Sequence, residues 1–300
     1  MIFLESDRID REKWDNLVRE KGEHFFSDRR YLDAVAENWG VYILDDYRGA
    51  IVIPYRYKLG FRWVYQPDFY RASEWLGEWN QSEKDRFWSV LRADFSEGYF
   101  ALEDIERVDS EMIYQTILPD ERFRSSYNKL AVRMIKKAEN STLEFISQLE
   151  KEDFFRLILE ELSEKTGAWN PTAQSHFTDL VKNFSDTGDL EYYGAVSGGE
   201  LVGGIIVLAR NNRKMYLKGT ARERAKKSGA MYWLMDKAIE NAVNQKCIFD
   251  FGGSRIEGVR RFNTNFGAQD IQYRLEEWST SPFWFRAVRN VRNTWKKIRK

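Results

Sequence analysis

Two rhythms of apolar residues run along this chain, one of period two and one of period 3.6, and they come in the same order twice. In the first half, Ile2-Phe-Leu-Glu5 reads as a strand, and Asp10 to Lys21 carries Trp14, Leu17 and Val18 at helical spacing. Ser27 stands where a cap would start a second helix, reaching Trp39. Strands follow at Tyr42–Asp46, Ala50–Tyr57 and Arg62–Gln66. Ser82 to Phe95 then gathers Phe87, Trp88, Leu91 and Phe95 on one helical face. Strands at Tyr99–Glu103 and Met112–Leu118 close the unit.

The second half repeats that order. A strand at Thr142–Ile146 precedes helices at Lys151–Lys165 and Thr172–Phe184. Strands come at Leu190–Val196, Leu201–Arg210 and Lys214–Gly219, with a Ser197-Gly-Gly199 turn between the first two. A helix over Ala230–Asn244, a strand at Ile248–Phe251, a short helix at Glu257–Asn265 and a last strand at Ile271–Trp278 complete it. Asp120 to Asn140 reads as a charged connecting helix. A repeat about half the chain long implies duplicated domains rather than a solenoid. The expected division is 1–120, 121–280 and a basic tail, 281–300.

Composition changes this picture in three places. Hydrophobic residues make up 43% of the 300, enough for a substantial core, and most of the eleven Trp are expected to pack in it. Net charge is zero, yet residues 281–300 hold seven Lys/Arg and no acid, so the rest is acidic by the same amount. In that tail Trp284, Val288, Val291, Trp295 and Ile298 form a narrow apolar seam. It fits docking on the protein's own body, an anionic membrane surface, or RNA phosphates. The lone Cys247 and the two histidines lack ligand spacing, so no disulfide or metal site is expected. The sequence carries neither a leader pattern nor an apolar run of about 18 residues, and is read as cytoplasmic.

Candidate chemistry concentrates between Lys214 and Ala268. Arg222, Lys226, Lys227, Ser228 and Gly229 lead into the helix that opens at Ala230, a setting in which backbone N–H groups and cations can hold a phosphate. Asp250 leaves the next strand beside Gly252 and Gly253, where a ligand could approach the backbone closely. Two readings of Asp250 stand side by side. It is a proton acceptor with a pKa raised by desolvation, or it shapes the glycine turn by accepting backbone N–H bonds. On the first reading, Asp250→Asn lowers turnover far more than stability. Tyr216 and Lys218 could reach the same place. In the first half, Tyr65, Gln66, Asp68 and Arg71 lie on a loop suited to reading an acceptor. Arg133 and Lys137 share a helix face and are either acceptor ligands or an ordinary solvated face.

The order of elements, with Arg133-Met-Ile-Lys-Lys-Ala138, Asp250-Phe-Gly-Gly-Ser254 and Phe262-Asn-Thr-Asn-Phe-Gly267, resembles the FemABX-like branch of the GNAT acyltransferases. The resemblance implies an α/β (α+β) fold of two tandem GNAT-like domains with mixed sheets flanked by helices. It also implies transfer of an acyl group from acyl-CoA, or an aminoacyl group from aminoacyl-tRNA, to an amine, often in building cell-envelope polymers. The acceptor would be a small molecule or a cell-wall precursor, with tRNA and the inner membrane surface as further partners. Two departures matter. The phosphate loop reads Arg224-Ala-Lys-Lys-Ser-Gly-Ala230 and loses the usual GNAT register. Asn263 stands where the family commonly has a lysine that would steady charge in transfer. A non-catalytic binding protein on the same fold is the rival reading.

Overall fold

Helix starts are set by short polar caps, and the caps fix the order of elements. The computed structural model describes residues 1–58, 60–103, 112–147, 151–162, 169–253 and 256–280. The expected tail helix, 281–300, and Ser254 lie outside the described residues. The first stretch holds β1 (Ile2–Glu5), α1 (Arg11–Lys21), α2 (Arg29–Val35), β2 (Asn38–Leu44), β3 (Gly49–Lys58), β4 (Phe61–Val64), β5 (Ser73–Glu74) and β6 (Leu76–Gly77). It continues with α3 (Gln81–Asp94), β7 (Glu97–Glu103) and β8 (Ile113–Ile117). The second holds α4 (Lys129–Glu139), β9 (Glu144–Ile146), α5 (Lys151–Leu162), α6 (Pro171–Phe184), β10 (Leu190–Ser197), β11 (Glu200–Arg210) and β12 (Arg213–Ala221). After these come α7 (Glu223–Lys227), α8 (Ala230–Asn244), β13 (Ile248–Asp250), α9 (Glu257–Thr264), β14 (Gln269–Gln272) and β15 (Arg274–Ser279).

Asp10 accepts from the backbone of Glu12 and Lys13 to open α1, and Asn80 with Glu83 forms a reciprocal box at α3. Asn170 caps α6, with Pro171 in its first turn. The cap of α2 is Asp28 and not Ser27, because the Ser27 hydroxyl donates to Glu74 at 2.9 Å. That helix stops at Val35, and Trp39 belongs to β2.

Two mixed sheets result. One runs β1-β2-β3-β4-β7-β15, with β5 against β7 and β6 against β3; the other runs β14-β8-β13-β12-β11-β10-β9. The sheets exchange strands across the expected boundaries. β8, expected to close the first unit, lies between β13 and β14 of the second sheet. The expected strand Ile271–Trp278 is two strands: β14 pairs with β8, and β15 crosses to pair with β7. Tyr273 is the crossing point, and no Gly or Pro marks it in the sequence. A cut at residue 120 therefore separates β8 from its own sheet.

The halves also share a core. Phe26, Tyr31, Leu32 and Val35 from the first pack with Phe177, Leu180, Val181 and Phe184 of α6, and with Ile206, Leu208, Met215 and Leu217 of the second sheet. Fully burying each such side chain stabilises by about 1.5–3 kcal/mol, so the halves are held together by the same force that folds each of them.

One local difference between the sheets bears on function. In the first sheet β4 and β7 pair in parallel only at Trp63–Glu97 and Val64–Gly98, and β5 then takes its own place on β7 at Ser73–Leu102 and Glu74–Glu103. In the second sheet the parallel pairing of β12 with β13 ends at Met215–Asp250. Beyond it, no strand pairs with Tyr216–Ala221 on that side among the described residues. A bulge at Leu217, where Ile206 faces Lys218 and Val207 faces Tyr216, bends β12 at the point where the two strands part.

Candidate active site

A cleft of about 930 Å³ opens where the halves meet. The loop after β4 supplies one wall through Tyr65, Gln66 and Asp68, three of the residues expected to read an acceptor. This loop is fixed locally: the Tyr65 hydroxyl accepts from the Glu37 amide at 2.7 Å, and the Gln66 side chain donates to the Arg71 carbonyl at 2.5 Å. Thr172 and His176 of α6 face it from the second half, and Gly252 and Gly253 lie in the floor. Both glycines have positive φ, +79° and +81°, and a Cβ on Gly252 would stand 2.8 Å from the Tyr216 carbonyl oxygen. The close backbone approach inferred for this pair is therefore an approach to β12.

Under the floor lies a buried polar cluster that spacing alone did not reveal. Arg71 donates to both Asp250 oxygens at 3.0 and 2.9 Å, and Arg213 donates to the second at 2.8 Å. The Gly252 amide adds a fourth contact at 2.8 Å. Asp250 is fully buried. Its oxygens are thus turned toward two guanidiniums and the glycine turn, which is the shaping role of the two readings above. Glu103 accepts from Arg71 as well, and its other oxygen lies 2.5 Å from His24 Nε2. Arg71 can only donate, so the His24 Nδ1 at 3.1 Å accepts, and Nε2 carries the proton toward Glu103. Burial pushes Glu103 up, but Arg71 and His24 outweigh it and hold the carboxyl well below the usual range. The Arg71 guanidinium also sits 3.6 Å from the centre of the Tyr114 ring and 4.9 Å from that of Phe26. Arg71, expected to meet an acceptor, is instead a buried tie between the halves that touches the cleft only from below.

The expected phosphate loop is rearranged in the same concrete way. Ala230 does open α8, but the turn before it is already folded as α7. The Ser228 amide donates to Arg224 and Ala225, and the Gly229 amide to Lys226, so neither is available to an anion. Gly229 (φ +93°) lies under α4, where an added Cβ would stand 2.2 Å from the Met134 carbonyl oxygen. Arg222 pairs with Glu160, and Lys226 with Glu223. Lys227 is exposed. Asn263 is buried in α9. Arg133 and Lys137 project outward from α4, the helix that packs on the start of α8, and do not line the cleft.

On the parted segment of β12, Tyr216 is half-buried, and burial pushes its hydroxyl up. Lys218 stands over the Trp169 ring, its Nζ 4.5 Å from the centre, and no carboxylate pairs with it among the described residues. Burial lowers its pKa. Trp169 in turn meets Phe69 of the cleft wall, ring centres 6.5 Å apart. Lys218 is therefore one aromatic ring from the cleft and beside the gap in the sheet.

Sequence reasoning missed Glu37, Arg56, Trp63, Tyr99, His176 and Tyr273 in the cleft, and His24, Glu103 and Arg213 beneath it. The Nδ1 of His176 is buried with no hydrogen-bond partner. Arg56, stacked on Trp63 and Tyr65, was legible only as a position in a strand. Among the described residues no group of three His, Cys, Asp or Glu is placed to hold a metal ion, and no helix is long and apolar enough to cross a membrane.

Comparison with known proteins agrees with this architecture. Residues 125–264 match the family model of the acetyltransferase (GNAT) domain. No curated protein sequence matches the chain. FemX is similar over 91% of this chain and 95% of its own, with TM-score 0.64 and 9% identity. The C-terminal domain of a putative lysylphosphatidylglycerol synthetase from Agrobacterium fabrum covers 90% and 91%, with TM-score 0.57 and 10% identity. A tandem GNAT protein from the clavulanic acid biosynthesis pathway, determined without acetyl-CoA, covers 94% and 99%, with TM-score 0.54 and 12% identity. Residues 125–264 thus match the GNAT acetyltransferase domain, and over more than nine-tenths of its length the chain has the fold of FemX and of the tandem GNAT protein.

Proposed function

We propose that this protein is an N-acyltransferase that moves an acyl group from acyl-CoA to an amine held in the cleft between its halves. The observation that carries the reading is the open gap between β12 and β13, which meets the cleft at Gly252. A thioester lying along the free edge of Tyr216–Ala221 would present its carbonyl beside Lys218. The amine then attacks that carbonyl, the tetrahedral oxyanion collapses, and the CoA thiolate leaves. His176, the histidine that lines the cleft, takes the proton from the attacking nitrogen. Lys218, half-desolvated and without a carboxylate, donates to the oxyanion, a position in which one donor is worth about 10²–10³ in rate. Asp250 acts at one remove, by holding the Gly252–Gly253 turn through its own hydrogen bond.

The acceptor is held by Tyr65, Gln66 and Asp68, with Asp68 exposed at the mouth to meet an ammonium group. Cell-envelope precursors are the class of amine in view, at the cytoplasmic face of a membrane, because the fold is that of FemX and of a lysylphosphatidylglycerol synthetase domain. Incubation with acetyl-CoA and a panel of amino sugars, peptides and aminolipids tests this. Free thiol released only when an amine is present supports the reading. Tight CoA binding with no thiol release across the panel favours a binding protein instead.

A further inference from the structure

α4 shows its buried face, Ala131, Ile135 and Ala138, to α8, and turns Lys129, Arg133, Lys136 and Lys137 to solvent. No carboxylate pairs with any of the four among the described residues, although the chain outside 281–300 has an excess of acid. Arg224 and Lys227 of the neighbouring α7 are likewise exposed and unpaired. The two sets are close. Gly229, two residues after Lys227, lies against the Met134 carbonyl and the Ala138 side chain, and Lys137 is in that same turn of α4. Glu223 of α7 is already paired with Lys226, and Glu139 is the single acid of α4.

Unpaired cations on two adjoining elements sum to a positive potential that concentrates anions beside them. We infer that Arg133 and Lys137 of α4 form, with Arg224 and Lys227 of α7, a phosphate-binding wall. It takes the 3′-phosphate of the CoA carrier, beyond the pyrophosphate. The inference rests on the acyl-CoA reading above and places Arg133 and Lys137 on the donor side, away from the acceptor they were expected to meet. Lys129 and Lys136 continue the outward row and add field rather than contact. Arg133 and Lys137 lie one helical turn apart, about 6 Å along the axis, so both can reach one phosphate.

Calorimetric titration of the full chain with CoA and with 3′-dephospho-CoA at low salt tests the wall. The expected result is about tenfold tighter binding of CoA, a preference that added salt erodes. Arg133→Glu/Lys137→Glu should abolish that preference while leaving dephospho-CoA affinity within about twofold. The milder Arg133→Gln/Lys137→Gln should reduce it and so guard against misfolding. Equal affinity of the native chain for the two ligands, or a preference that survives the reversal, overturns the wall but leaves the acyl-CoA reading standing. Binding of neither ligand overturns that reading, and the wall with it. Tight tRNA binding lost in the reversed variant, with no CoA preference, assigns the cations to a polynucleotide and also refutes the proposal.

Discussion

The two sheets have the same strand order through their parallel pair, and they differ in what fills the space beside it. In the first sheet the chain loops out after β4 and returns in the same direction to lay β5 on β7, so the gap is closed by the protein itself. In the second, β12 runs on for six residues past its last pairing with β13, and no strand fills the gap among the described residues. The inserted loop of the first half is not idle. It carries Tyr65 to Arg71 into the cleft that the second half's gap opens onto. On the function proposed above, the second copy would supply the donor slot and the first copy, with its slot closed, the acceptor wall.

The largest effect is expected at the tie between the halves. Asp250→Asn leaves Arg71 and Arg213 buried with half their compensation, and breaking such a cluster costs about 3–5 kcal/mol. Urea denaturation should register a loss of that order, with activity falling in step with the folded fraction. A variant that keeps its stability but not its turnover would restore Asp250 to the chemistry. Next in size is Lys218→Met, expected to lower turnover by about 10²–10³ with little change in melting temperature. Burial disfavours the charged amine, so an apolar chain of similar length fits the site at least as well. A fall in stability matching the fall in rate would make Lys218 a packing residue.

How far the sequence foretold this contrast depends on the range of the signal. Local signals were readable: the helical spacing of Trp14, Leu17 and Val18, the helix at Thr172–Phe184 and the strand at Leu201–Arg210 all place elements where they stand. The loop at Tyr65–Asp68 was singled out because its strand matched the second half's strand ahead of the basic loop, and it lines the cleft. The strand exchange could not be read, because nothing in Gln272-Tyr273-Arg274 breaks a strand, and pairing partners leave no mark on a single strand. The buried cluster was hidden for the same reason. Arg71 and Asp250 are 179 residues apart, and His24 and Glu103, both in the first half, meet from separate elements. The glycine turn at Ser228–Ala230 was correctly seen as a helix start, yet which amides stay free there depends on α7 and α4.

Two smaller effects sharpen the comparison. Gly229→Ala places a Cβ against the Met134 carbonyl at positive φ, a strain of about 1–3 kcal/mol that should appear as a lower melting temperature. An unchanged melting temperature would mean that α4 yields easily at this contact. The smallest effect concerns pH. Glu103 has a folded-state pKa held below its unfolded value, so its stabilising contribution is complete above the ordinary glutamate range. It is lost as pH falls from there toward the depressed folded value. Wild type should therefore lose stability more steeply than Glu103→Gln between about pH 5 and 3. Parallel curves would show that Arg71 and His24 do not hold that charge.

Hydrogen exchange with and without acetyl-CoA is the most direct test of the open slot. Slowed exchange along Tyr216–Ala221 and at Gly252–Gly253, with Phe61–Gln66 and Ser73–Glu74 unchanged, is the result expected if the second half alone holds the donor. Protection centred on β4 and β5, with none on β12, would contradict the division of labour between the halves.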